Sequence, residues 1–402
     1  MNRLQITAYP PINFPLTIIY PLAGIYLHIP FCKQACHYCD FHFSTSLLQK
    51  DRMIDAICRE VVLQQDYLAD RHLNTIYFGG GTPSLLTQPE LNRILDALHQ
   101  HFDVAPDAEI TLEANPDDLT PARIRELAAS PVNRLSIGIQ SFHDPHLVRM
   151  NRAHHAAEAL AAVRNAQDAG FGNITTDLIY GIPADSHDIW INDLQTLLAL
   201  QVQHVSCYAL TIEEKTALGR WTKKGSFRPS EDEFVAQQFE ILVDAMQKQG
   251  FTQYEISNFS RPGFESRHNS NYWKGVHYLG LGPSAHSFNG HSRQYNIPNN
   301  ARYMEAVDQG QLAFDRETLS LTDQANEYLL TSLRTIWGCD LQRLQQQFQV
   351  DLRQQQPDYL AQLLQQGYIR IDADILYLTD AGKLLADQIT LDLFLEPQAV
   401  KN

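Results

Sequence analysis

Three cysteines fall within the eight residues that end at Cys39 in "GIYLHIPFCKQACHYCDFHF" (24–43): Cys32, Cys36 and Cys39. Thiolates are soft ligands, suited to zinc or to iron–sulfur clusters. A structural zinc site usually closes with four protein ligands, often as two C-x-x-C pairs. This C-x-x-x-C-x-x-C run has no second pair, and only His37 or His42 nearby could close a zinc site. The other reading is a [4Fe–4S] cluster whose fourth iron is left open. An open metal position can chelate the amino and carboxylate groups of a small molecule.

Further polar residues recur after short apolar runs. "GGGTPS" (79–84) offers backbone N–H groups to a ligand, or else makes a tight turn. "LEANP" carries Glu113, "SIGIQSF" Gln140, "MNRAH" Arg152 and "TTDLIYGIP" Asp177. A carboxylate or amide there can bond a ligand's amine or ribose; a solvated side chain is the plainer alternative. "RHNSNYWKG" (267–275) contains H-N-x-x-Y-W. His268 could ligate a metal, with Tyr272 and Trp273 as flat apolar surfaces; alternatively His268 and Asn269 brace a turn. His286 in "GPSAHSF" competes as a ligand, among sixteen histidines.

The elements that must position these residues alternate. Strands are expected at 24–30, 74–81, 108–116, 133–142, 173–183, 204–211 and 252–259. Helices are expected at 51–69, 88–101, after Thr120, and at 155–169, 187–200 and 231–249. The 51–69 helix carries an apolar stripe at Ile54, Ile57, Val61 and Val62. Such alternation means parallel pairing with right-handed crossovers. With every polar motif at a strand's C-terminal end, the architecture is an α/β partial (β/α)6 barrel, ahead of a doubly wound sheet. "GLGPSA" (280–285) lacks the strand–turn–helix setting of a dinucleotide loop. Cys207, on an apolar run, reads as core.

Cysteine spacing, the preceding "YLHIPFC" and the order of the later motifs together resemble the radical SAM superfamily, in its coproporphyrinogen dehydrogenase and heme chaperone branch. The match runs to about residue 290. The resemblance implies that Cys32, Cys36 and Cys39 hold a [4Fe–4S] cluster. It also implies that Tyr26, Gly80, Gly81, Thr82, Glu113, Gln140, Arg152 and Asp177 line a pocket for S-adenosylmethionine (SAM). The dehydrogenases carry one more cysteine, two residues on. Here that place holds Phe41. With HNxxYW, this points to the heme chaperones, so heme and acceptor hemoproteins, respiratory ones among them, are the implied partners, and His268 the candidate heme ligand. The alternative is an oxygen-independent coproporphyrinogen III dehydrogenase, which uses a radical from SAM to decarboxylate propionates.

The net charge of −15 speaks against a broad nucleic-acid surface. Cys58, Cys207 and Cys339 lie far apart, unlike a secreted disulfide scaffold, so the expected compartment is the cytoplasm. Residues 1–23 are broken by Pro10, Pro11, Pro15 and Pro21 and read as a loose tail. No later run reaches the ~18 apolar residues of a membrane span. Peripheral membrane association and a homodimer are both compatible with this reading. Residues 24–300 form the barrel domain. Residues 301–402 read as a second domain, helical and glutamine-rich over 301–366, then a two-stranded wing and a helix, like a winged helix. From Cys339 onward five basic and nine acidic residues make DNA a poor partner for it.

Overall fold

The computed structural model describes residues 23–396. The expected tail, Ala23 apart, lies outside the described residues. Six parallel strands stand side by side in chain order: β1 (Ala23–Ile29), β2 (His72–Gly80), β3 (Asp103–Ala114), β4 (Arg134–Gln140), β5 (Ile174–Tyr180) and β6 (His204–Ala209). Parallel strands covered on both faces read as unbroken apolar runs. In β1, Ile25, Leu27 and Ile29 are fully buried. Crossover helices start where the sequence caps them. Thr87 and Glu90 form a reciprocal capping box on Gln88–His101, and Thr120 caps Pro121–Ala128. The result is the partial α/β barrel.

The sheet continues at both edges to twelve strands. Beyond β6 lie β8 (Asn258–Ser260) and β7 (Thr252–Glu255), both antiparallel. Beside β1 lies β9 (His277–Leu281), parallel to it. The antiparallel β10 (His286–Phe288), β11 (Ser292–Asn296) and β12 (Phe314–Thr318) follow. The run 301–366 is therefore not wholly helical. β12 reads "FDRET", a charged edge strand with no apolar alternation to reveal it.

Helix Lys50–Leu63 packs on the sheet through Met53, Ile54, Ile57 and Val61. Val62, expected on that stripe, is exposed, because one residue past Val61 turns it about 100° off the face. Buried Glu60 on this helix ties down the β9 edge. It accepts from the Gly282 N–H at 2.7 Å, from Asn296 Nδ2 at 2.7 Å and from the Tyr303 hydroxyl. Gly282 must be glycine: a Cβ there would lie 2.4 Å from the His28 carbonyl oxygen.

Tyr303, Met304 and Val307 belong to the core of the large sheet, and a second core begins at Ala325. It joins helices Leu321–Leu333, Leu341–Phe348 and Pro357–Gln365 to a small antiparallel sheet. Cys339–Asp340 adds a third strand to the expected wing of Ile369–Asp372 and Ile375–Leu378. The two units are bonded through the backbone, Ile256 N–H to Arg334 O at 3.0 Å and Ile336 N–H to Tyr254 O at 3.1 Å. Among the described residues no helix is long and apolar enough to cross a membrane.

Candidate functional site

β1 ends in the cysteine loop. Its base is pinned by Cys32 N–H to Ser44 O at 3.0 Å and Ser44 N–H to Pro30 O at 2.9 Å. Cys32, Cys36 and Cys39 are half-buried free thiols. Among the described residues no three side chains are drawn together into a metal-binding group. The donor set and its surroundings nonetheless suit a thiolate-bound cluster. Thr82 Oγ1 donates to Cys32 Sγ at 3.4 Å, and Arg152 Nη1 to Cys36 Sγ at 3.4 Å. Donors to ligand sulfurs stabilise the thiolate and tune a metal. Burial pushes the Cys39 thiol up to about 11, a cost that binding a cation would offset. Each histidine able to close a zinc site already uses a ring nitrogen. His37 Nδ1 lies 2.8 Å from Arg149 O, and His42 Nε2 lies 2.7 Å from Asn300 Oδ1.

Beside this loop Arg152 and Thr82 are joined through Asn115, while Glu113 on β3 and Asp177 on β5 keep separate partners. Arg152 donates through Nη2 to Asn115 Oδ1 at 2.6 Å and to Gly138 O at 2.7 Å. Asn115 Nδ2 in turn donates to Thr82 Oγ1 at 3.2 Å. Gln140 ends β4 with φ of +70°, a strained conformation for a non-glycine residue and one that gathers at functional sites. Glu113 accepts from the Tyr77 hydroxyl at 2.7 Å and from the Gly80 N–H. Burial holds Glu113 up to about 7 and Asp177 up to about 6. Two raised carboxyls and one guanidinium can bind a zwitterion and exchange protons with it. Tyr26, midway along β1, lies stacked beside Tyr77 with ring centroids 6.1 Å apart.

Gly81 is a special case. Its N–H is bonded to Ile29 O at 2.9 Å, and a Cβ would stand 2.7 Å from Phe31 O. It keeps the glycine loop against the base of the cysteine loop, so its N–H is not free for a ligand. Asn115 and Tyr77 are site residues beyond those the motifs point to. Asn115 was legible as the polar neighbour of Glu113 before Pro116. Tyr77 sits inside an apolar strand and gives no signal.

HNxxYW forms a short helix, Arg267–Trp273, capped by Ser266. His268 is not presented as an iron ligand. It is 1 % exposed, and both ring nitrogens are engaged, Nδ1 with Thr75 Oγ1 and Nε2 with the Tyr272 hydroxyl, each at 2.8 Å. Burial lowers its pKa to about 3. It stacks on Tyr77 at 4.9 Å between centroids. Nothing in the sequence shows that a helix N-terminus turns this ring into the barrel.

Tyr272, bonded to the His268 ring, and Trp273 also border an open space. A cavity of about 740 Å³ lies between the β9–β11 edge and the C-terminal unit. Its aromatic walls are Tyr272, Trp273, Tyr278, Phe288, Tyr328 and Phe348. It reaches Tyr26 and Phe41, so it adjoins the cysteine loop. Phe41 is 71 % exposed and stands on that wall.

Comparison with known proteins places these features. Residues 26–197 match the radical SAM superfamily, and residues 319–385 match the HemN C-terminal domain. The chain is 32 % identical to the heme chaperone HemW of Bacillus subtilis over 92 % of this chain and 98 % of that one. It is 31 % identical to HemW of Escherichia coli over 93 % and 98 %. In structure it resembles the coproporphyrinogen III oxidase HemN of Escherichia coli, a radical SAM enzyme. That likeness has a TM-score of 0.81 at 23 % identity, covering 94 % of this chain and 91 % of that one, and bears on the fold.

Proposed function

The chain belongs to the HemW family of the radical SAM superfamily, and from that premise we propose that it is a cytoplasmic heme chaperone. It binds heme and passes it to acceptor hemoproteins. The observation that carries this reading is the aromatic cavity beside the cysteine loop. Its volume falls within the roughly 300–1,000 Å³ of small-molecule sites, and flat rings suit a porphyrin face. Cys32, Cys36 and Cys39 would hold a [4Fe–4S] cluster. When bound, the cluster supplies an open iron that chelates SAM. Thr82, Glu113, Gln140, Arg152, Asp177 and Tyr26 would orient SAM, with Gly80 holding the Glu113 carboxylate through its N–H. Gly81 contributes by shaping the loop.

Phe41, in place of the cysteine found in the dehydrogenases, puts an apolar ring where the cavity meets this loop. It supports a carrier over a dehydrogenase. On this reading cluster and SAM govern loading or transfer of the cargo.

The test is titration of heme into anaerobically reconstituted protein, followed at the Soret band. Transfer to apo-acceptor is then timed with wild-type and Cys36→Ala protein. Saturation near one heme per chain, with slower transfer by the variant, is expected. Equal transfer rates would remove the role given to the cluster. Absence of specific binding, or product formed from coproporphyrinogen under reducing conditions, would overturn the chaperone reading.

A further inference from the structure

We propose that His286 is the axial ligand of the cargo iron, and that Lys274 and Arg343 clamp the porphyrin's two carboxylates from opposite sides of the junction between the units. This rests on the heme-chaperone reading above.

Three histidines border the cavity. His28 is spent: Nε2 lies 2.8 Å from His42 O, Nδ1 lies 3.4 Å from the Tyr26 hydroxyl, and the ring is buried. His277 is closed on one side. A Cβ on Gly290 would stand 2.6 Å from its Nε2, so that nitrogen points into the turn between β10 and β11. His286 is the exposed one, on β10. Tyr295 holds its ring edge-on, 4.7 Å between centroids at 85°. No hydrogen bond from the described residues reaches either of its nitrogens. Burial of part of the ring and the nearby Arg293 keep its pKa below the usual value, so at neutral pH it is the neutral base that iron binds.

The cavity's charges are uneven. Arg293 borders it but is committed to Glu327, Nε to Oε1 at 2.6 Å. Among the described residues Glu327 is the single acidic side chain on the wall, so no carboxylate there pairs with Lys274 or Arg343, and Glu265, off the wall, attracts Lys274 without forming an ion pair. Lys274 lies over the Trp337 ring at 4.2 Å. Arg343 lies over the Tyr328 ring at 4.6 Å, with Nε on Gln347 Oε1 at 2.9 Å. Neither forms an ion pair with a carboxylate among the described residues. Lys274 follows the HNxxYW helix of the barrel unit. Arg343 sits on Leu341–Phe348 of the C-terminal unit. Two separated cations around an apolar slot fit a flat dianion, and a ligand gripped by both units would be released when they part.

The experiment titrates ferric heme and iron-free protoporphyrin IX into the full chain and its variants. Soret position and quenching of protein fluorescence are the readouts. His286→Ala should weaken heme binding tenfold or more and move the Soret maximum, while protoporphyrin IX binds as to wild type. His277→Ala should change neither. Lys274→Gln with Arg343→Gln should weaken both ligands tenfold or more. A wild-type Soret maximum and affinity in His286→Ala overturns the ligand assignment, and unaltered binding in the double variant overturns the clamp. Failure of wild type to bind either tetrapyrrole sinks the chaperone reading itself, and the clamp with it. His286 is exposed, so the circular dichroism melt of His286→Ala should match wild type.

Discussion

Replacing His268 by alanine separates a brace from an iron ligand. The ring is 1 % exposed and bonds two hydroxyls that have no other partner among the described residues. Thr75 is fully buried, so its orphaned hydroxyl costs about 1–3 kcal/mol. The Tyr272 hydroxyl borders the cavity, where water can reach it, so its loss costs about 1 kcal/mol. Removing the ring from its stack on Tyr77 adds a packing loss of roughly 1–2 kcal/mol. The sum is about 3–6 kcal/mol of stability. The backbone N–H of residue 268 keeps its bond to Glu109 Oε1 at 3.0 Å, so the helix start survives. The assay is denaturant unfolding of wild type and variant at pH 7.5, followed by heme titration well below both midpoints. A clearly lower midpoint with the wild-type Soret maximum is expected. A change in stability below about 1 kcal/mol, together with loss of heme binding, would refute the reasoning. His268 would then be held for the iron and not for the fold.

Three further outcomes follow from the same geometry. Glu113 titrates near 7 in the fold, above its ordinary value of 4.5, so its contribution is present at low pH and lost as pH rises through about 7. Glu113→Gln should therefore stabilise the ligand-free chain by about 1–2 kcal/mol at pH 8, after allowing for its partial exposure, and by much less at pH 5. Equal gains at both pH values in denaturant unfolding would contradict this. Gly81→Ala would drive a Cβ into the backbone at Phe31 and Ile29, displacing the base of the cysteine loop. Iron content after reconstitution should fall well below wild type, and normal iron loading would count against the packing argument. Arg152→Lys cannot reach Cys36 Sγ and Tyr38 through one nitrogen and Gly138 O and Asn115 Oδ1 through a second, so SAM affinity of the reconstituted protein should drop tenfold or more by equilibrium dialysis. Unchanged affinity would remove Arg152 from the SAM site.

The α/β barrel was legible because each parallel strand is an apolar run and each helix announces itself by caps and periodicity. Local chemistry of that kind needs no partner to be read. The cysteine loop was legible for the same reason, since its three thiols lie within eight residues. Glu113, Gln140 and Asp177 stand on strands brought side by side by parallel order, and Arg152 returns to them from the loop after helix Asp144–Arg149 through its bond to Gly138 O on β4. What lay beyond the sequence depends on contacts between distant residues. β12 is a strand only because β11 offers it hydrogen-bonding groups. Asn115 and Tyr77 matter only once Thr82, Arg152 and Glu113 have been brought to them. HNxxYW shows the division within one motif. Its residues are adjacent in sequence, but a helix turns about 100° per residue. His268 and Tyr272, four residues apart, therefore share a face and bond to each other; His268 is shut in against Thr75, while Tyr272, one turn on, and Trp273, a further 100° round, border the cavity. Residue type named the chemistry that this motif could do, and direction in space, set by packing, decided which of its side chains can meet a ligand.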